Sequence, residues 1–527
     1  MIAQFKSVGN WKMLTLVALI GSFLSSCKES KDSVDTSGEA TVSIRLLGVE
    51  NPVLTNKKGS TKTSGTQSAQ TVLLPFTKTS KVEATLTNES TTTSGNILRA
   101  ASGTRAAAVE ERTPLAANIK YMIAVYDADG NFIKENAYTN TVDNTAEMQL
   151  PAGKTYTFIA YSVNSTSDLP GIDGKASLTT ASLNNISADL MYFKGSLAVQ
   201  SGSTSTLNVV LKHKYSEVTT SLNMATDMGG TITALSGTNI SPTHSSANLK
   251  LSDGSIAYNG NATANAAVVF PQLGAGLRYV SSIPTLLIHP GTTAGIFNIG
   301  SVTIDGETKN NVQVPGLVIV PGQRYNLNLN FKTCTQQVVG ANLNWDYPQV
   351  RVDNQDGVKN STGTFVPNGG EVSQTITGPG ADYGFVFDIT KLDNSFNMTV
   401  NGTKLSTQEI QFQPKVTGYP ANVEFVDGSK YEGVNTEGGA NVGAIWSMTG
   451  TTANPLIRLV IERNGTVRLY GSKVSNGPLY ELKLTNGARF NPVQWNSATN
   501  TVKITQIVQG PTGMVGSGRG VAKVPCQ

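Results

Sequence analysis

The chain has 527 residues, of which only 14% are charged, and a formal net charge of +4. That length exceeds one ordinary core, so two to four domains are expected. So weak a charge balance, with no dense Lys/Arg patch, excludes a nucleic-acid footprint. Thr, Ser, Asn and Gly fill the place of the missing charges, which suits an extracellular β-protein: Thr favours strands, Asn and Gly tight turns.

The chain opens with Lys6 and Lys12 ahead of an apolar run from Met13 to Leu24. A helix needs about 20 apolar residues to span a bilayer, so this run is too short to cross one and fits the core of a secretion signal. It stops at Leu24-Ser25-Ser26-Cys27, which matches the bacterial lipobox. Residues 1–26 are therefore expected to be a lipoprotein signal peptide, removed to leave Cys27 as an acylated first residue in the outer membrane. A chance cysteine behind an ordinary signal is the alternative. Several acyl chains would hold the protein at a membrane where one chain binds only marginally. The polar stretch KESKDSVDTSGEA then reads as a solvated tether. With Cys27 lipidated, Cys334 and Cys526 remain; in an oxidising compartment they either pair or stand as unrelated buried thiols.

Beyond residue 30, period-2 alternation dominates and helical periodicity is scarce. Residues 27–113 read as tether and linker. They hold ATVSIRLLGV, where Val42, Ile44 and Leu46 alternate, and a second strand near 81–87 between Ser/Thr/Gly/Lys-rich stretches. ILRAASGTRAAAVEER closes this part. Residues 114–212 then offer IKYMIAVYDADGNFIKENAY, a hairpin folding back at Asp127–Gly130, followed by KTYTFIAYS and STLNVVLKHK. Residues 213–333 end on RYNLNLNF, where Tyr325, Leu327, Leu329 and Phe331 share one face and three asparagines the other. Residues 334–527 read as a further β-domain with turns at Asn401-Gly402 and Asn464-Gly465, the dipeptide most typical of two-residue hairpins. Short strands at this spacing imply antiparallel sandwiches.

The segments YMIAVYDADGNF, LPAGKTYTFIAYSVNSTSDLP, LMYFKGSLAVQSGSTSTLNVVLKHKYSEVTTSLNMAT and VPGQRYNLNLNFK, in this order along 119–332, resemble the Bacteroidota fimbrillin family, the lipoprotein precursors of type V pilus subunits. The resemblance implies an all-β fold: two tandem transthyretin-like antiparallel β-sandwiches, here followed by a further β-sandwich domain. It also implies, for members that polymerise, a cut after an arginine that frees an N-terminal strand, whose groove a neighbouring subunit's strand then fills. The removable strand would be ATVSIRLLGV, and the processing sites Arg99, Arg105 or Arg112, with Arg105 favoured. A plain surface linker containing arginines is the alternative. The roughly 190 residues beyond the fimbrillin-like part depart from a simple shaft subunit and suggest an accessory, tip-like or anchoring member.

Catalytic motifs are missing. His213, His244 and His289 are isolated, there is no P-loop or G-x-S-x-G elbow, and GSGRG at 516–520 reads as a flexible tail. The chain is read as non-enzymatic, without cofactor or metal. Trp446, Trp495, Tyr419, Tyr431 and Tyr470 would offer stacking faces to sugars, although core positions are the blander assignment. Asp382, Asp388, Asp393 and Asp427 lack calcium-loop spacing and read as turn residues. Two functions result: a surface fimbrillin-like lipoprotein joining other fimbrillin-like subunits in a pilus or adhesion assembly, or a glycan-binding outer-membrane lipoprotein of a polysaccharide-uptake system. Its partners are then the outer membrane, through the lipid, and either sister subunits or surface glycans.

Overall fold

The computed structural model describes residues 38–51, 69–89, 111–141, 145–202, 204–225, 230–304, 306–413, 420–432 and 442–527. Apart from one short 3-10 turn at Ile445–Ser447, every regular element among them is a strand. The first twelve are β1 (Glu39–Asn51), β2 (Gln70–Pro75), β3 (Ser80–Asn88), β4 (Glu111–Thr113), β5 (Lys120–Tyr126), β6 (Phe132–Thr139), β7 (Thr145–Pro151), β8 (Lys154–Ser162), β9 (Ser182–Ile186), β10 (Met191–Val199), β11 (Ser205–His213) and β12 (Ser216–Met224).

One eight-stranded sheet builds the first sandwich, in the order β4-β1-β11-β10-β8-β5-β6, with β7 also paired to β1. The sheet curls until β6 and β7 meet: Tyr138 Oη donates to Glu147 O at 3.1 Å, and Lys134 Nζ to Gln149 O at 3.3 Å. Inside the curl, alternate residues of β1, β5, β7, β8 and β11 form one core, from Val42 and Ile44 to Ile123, Leu150, Phe158 and Val209. The expected β5–β6 hairpin is present, and its turn explains DADGN. Asp127 Oδ1 accepts from the backbone N–H groups of Asp129 (3.0 Å) and Asn131 (2.8 Å), so the aspartate closes the turn.

The second sandwich faces a sheet ordered Tyr279–Ser281, β12, Arg324–Thr333, β3, β2 against a five-stranded sheet around Thr292–Ile304. Tyr325, Leu327, Leu329 and Phe331 are all buried in this core, as their alternation predicts. Segment 27–113 thus contributes to both bodies: β1 to the first, β2 and β3 to the second. β9 also crosses over, pairing with Ser246–Lys250 on the outer face of the first sheet.

In the C-terminal domain a seven-stranded sheet (Thr335–Tyr347, Thr512–Lys523, Gly384–Leu392, Ile457–Ile461, Val467–Ser472, Leu479–Leu484, Val423–Phe425) packs on a smaller sheet around Asn500–Ile507. The GSGRG segment is not a tail. It lies inside strand Thr512–Lys523, between Thr335–Tyr347 and Gly384–Leu392. Its glycines leave room for neighbouring rings: a Cβ at Gly516 would stand 2.8 Å from Phe387 and one at Gly518 2.5 Å from Phe385. Cys334 and Cys526 are joined by a disulfide across a separation of 192 residues, with Cα atoms 5.3 Å apart.

Candidate assembly site

β1 is where strand exchange would have to act, and its sequence explains its place. Alternation points Ala40, Val42, Ile44 and Leu46 into the first core, and Val42 and Ile44 are fully buried. Both edges are paired. One runs parallel to β11 from Val42 opposite Ser205 to Glu50 opposite Lys212. The other is antiparallel, first to β7 and then to β4. The switch of partner falls at a bulge between Leu46 and Gly48. Gly48 has φ +113°, and a Cβ there would stand 2.6 Å from Thr113 O, so the position needs glycine.

Of the residues singled out for processing, Arg112 stands in β4, paired with Glu50 of β1. Arg99, Arg105 and the lipidation position Cys27 lie outside the described residues. All three arginines follow β2 and β3 in the chain, so a cut after Arg99 or Arg105 separates three strands from the body, not one, and a cut after Arg112 severs β4 as well. β3 is as embedded as β1: it pairs antiparallel with Arg324–Thr333 from Asn88 to Ser80, and Val82, Ala84 and Leu86 are buried. Phe76, just past β2, packs edge-on against Phe331 at 5.1 Å. The turn that follows is held by the C-terminal domain, where Cys334 N donates to Thr79 O at 2.8 Å and Cys526 N to Lys78 O at 3.0 Å. Sequence reasoning found a strand near 81–87 but not its sheet. The only local signal was the Lys/Glu alternation around Val82, Ala84 and Leu86.

A polar joint couples the two sandwiches. Asp189 accepts from Arg324 Nη2 at 2.6 Å and meets His213 Nδ1 at 3.0 Å, and Arg324 Nη1 also pairs with Glu217. Burial opposes ionisation of Asp189, yet the His213 and Arg324 contacts hold its carboxyl below the usual range. Glu217 goes the other way: burial raises it against the Arg324 charge.

The proposed sugar platform does not assemble. Trp495 lies buried against Phe385, with its Nε1 donating to Tyr383 O at 3.0 Å. Tyr431 and Tyr470 are buried, Trp446 is exposed, and Tyr419 lies outside the described residues. Nor do the four aspartates converge. Asp388 holds Arg458, Asp393 accepts from Gln506, Asp427 caps Ser429, and no cluster of three metal-ligating residues exists among the described residues.

Residues 101–344 match the family model described as fimbrillin-like. That part of the chain is fimbrillin-like. The matched region runs from ahead of β4 to Thr335–Tyr347, so β1, β2 and β3, which complete both sandwiches, lie upstream of it. No curated protein matches the chain in sequence. Among solved structures, the chain is similar to a protein described as a cell-adhesion protein from Bacteroides fragilis, at 13% identity over 55% of this chain and 97% of the other, with TM-score 0.33. It is also similar to the fimbrial anchor protein Mfa2 from Porphyromonas gingivalis, at 14% identity over 40% and 78%, with TM-score 0.26. A third, described as a polysaccharide-binding protein from Bacteroides thetaiotaomicron, gives 13% identity over 47% and 93%, with TM-score 0.29.

Proposed function

We propose that this protein is a cell-surface, fimbrillin-like lipoprotein, anchored in the outer membrane through Cys27, that serves as an accessory or tip-like component of a pilus or adhesion assembly. It joins sister subunits by strand addition into the slot held by β1. The observation that supports this reading is β1 itself. It is a central, fully paired strand with a buried apolar face, yet it lies upstream of every arginine proposed for cleavage.

The energetics add a condition. Burying one Val, Ile or Leu side chain contributes roughly 1.5–3 kcal/mol, so withdrawing Val42, Ile44 and Leu46 with nothing in their place is strongly unfavourable. A cut alone therefore leaves the N-terminal fragment seated. Exchange requires an incoming strand that takes over both the main-chain hydrogen bonds and the apolar pockets as β1 leaves. Incubation of the purified full chain with an arginine-specific protease tests this on gels. Ladders of cross-subunit products are expected only once cleavage occurs after Arg99 or Arg105. Protein isolated from cells that still begins at acylated Cys27, and forms no ladder after the cut, would remove strand addition from the proposal.

A further inference from the structure

A cavity of about 570 Å³ lies between the second sandwich and the C-terminal domain. Its floor is the outer face of the seven-stranded sheet. Alternation in Gly384–Leu392 sends Phe385 and Phe387 into the core and keeps Val386 and Asp388 on that outer face. Register then sets Arg519 beside Val386, Val386 beside Val460, and Val460 beside Arg468. The next row runs Ser517, Asp388, Arg458, Tyr470. An apolar strip is thus flanked by guanidinium groups across four strands.

The second sandwich closes one end. Arg278, only 1% exposed, sits 4.8 Å over the Tyr470 ring and donates through Nη1 to Gly230 O at 2.7 Å. Five arginines, at 278, 458, 463, 468 and 519, line the cavity, and Glu462 is the one carboxylate among its described lining residues. Asp388 beneath them serves two at once: Arg458 with Nε and Nη2, at 2.6 and 2.8 Å, and Arg519 with Nη1 at 2.6 Å. The pair at the centre of this row is fixed in place. Arg458 and Asp388 are 3% and 2% exposed.

We infer that this cavity binds an acidic sugar, a pyranose bearing a carboxylate. A carboxylate matches the guanidinium fork and gains most where water is excluded. The Val386–Val460 strip fits the apolar face of a pyranose ring and offers nothing to a bare inorganic anion. Clefts between domains with an apolar wall and a few convergent polar groups are the usual form of small-ligand sites. The site shares no residue with β1 to β4, so it stands whether or not strands exchange.

The test is calorimetric titration of the full chain with digalacturonate and with N-acetylneuraminate, beside neutral maltose and sodium sulfate. Binding of at least one acidic sugar, weakening with added salt, is expected, with maltose and sulfate silent. Arg519→Gln, and separately Arg463→Gln at an exposed position whose Nε bonds to Ala381 O at 3.0 Å, should each weaken that binding by about tenfold. Melting curves check that both variants fold, and if Arg519→Gln does not, the titration of Arg463→Gln decides. Silence of both acidic sugars, binding equal to that of maltose, or binding unchanged in the folded variants overturns the inference. Sulfate binding as tightly as the sugars also overturns it, leaving a generic anion cradle.

Discussion

The fimbrillin-like pair and the C-terminal domain are closed in opposite ways. In the pair, the strands that complete the two cores, β1 and the β2–β3 hairpin, come from the N-terminal end and precede the arginines of the linker. A single cut there leaves them held by non-covalent contacts alone. In the C-terminal domain the first strand, Thr335–Tyr347, pairs along its length with the last, Thr512–Lys523, and a disulfide bonds the flanking cysteines. These closures separate the part of the molecule whose completing strands a cut in the linker would free from the chain from the part whose first and last strands stay covalently joined. Both regions bury apolar strands in their cores, so the difference between them lies in covalent connection.

The strongest perturbation opens the first closure. Ile44→Asp places a charge in the centre of the first core and should destabilise that sandwich by roughly 5 kcal/mol. Limited proteolysis should then digest 114–212 while the C-terminal domain stays resistant. Loss of both together would show that the regions unfold as one unit and dissolve the contrast. Next comes Asp388→Ala, which leaves the buried Arg458 and the half-buried Arg519 without their shared carboxylate. About 4 kcal/mol is expected from the C-terminal transition alone, measured by calorimetry.

Cys334→Ser probes the contrast from the other side. The bond closes a loop of nearly the whole domain, and its removal should cost about 3 kcal/mol. Because Cys334 and Cys526 also hold the turn at Lys78 and Thr79, the variant should speed amide exchange in β2 and β3 as well. Unchanged exchange there would mean that the disulfide locks only its own domain.

How much of this was legible follows from the range of each interaction. Alternation within one strand is local, so RYNLNLNF, KTYTFIAYS and the β5–β6 hairpin could be read directly. Asn401-Gly402 also behaves as its dipeptide predicts: both residues have positive φ, and Val400 pairs with Thr403. Asn464-Gly465 does not, since only Gly465 has positive φ and the loop closes from Glu462 to Thr466. Which sheet a strand joins is a long-range property. Nothing near Val82 says that its partner is Phe331, 249 positions away as for Lys332 and Glu83 beside them. The arginine cavity was hidden for the same reason. Arg458, Arg468 and Arg519 look like ordinary strand charges until register aligns them, and GSGRG looks like a tail until Phe385 and Phe387 claim the space over its glycines.

The mildest effect concerns protons, and here too the regions differ. In the polar joint Asp189 is held down and Glu217 is pushed up, so their pH effects oppose each other. In the C-terminal domain two buried carboxylates move the same way. Burial raises Glu409 to about 7, with the Glu371 charge adding to the rise and Lys404 opposing it. Burial likewise raises Asp393 to about 6 in spite of the N–H groups of Gly513 and Asn394. A carboxyl whose folded pKa exceeds its unfolded one keeps its proton in the native state while the unfolded chain has released it. Stability is then full below the unfolded value and declines as pH climbs through the window to the folded value. For Glu409 that window runs from 4.5 to about 7, and the loss across it is on the order of 3 kcal/mol. The C-terminal transition should therefore melt lower at pH 8 than at pH 5, while the fimbrillin-like transition moves less. Glu409→Gln keeps the shape without the charge and should flatten most of the slope. A slope that survives this substitution would assign the effect to Asp393, which Asp393→Asn would then remove.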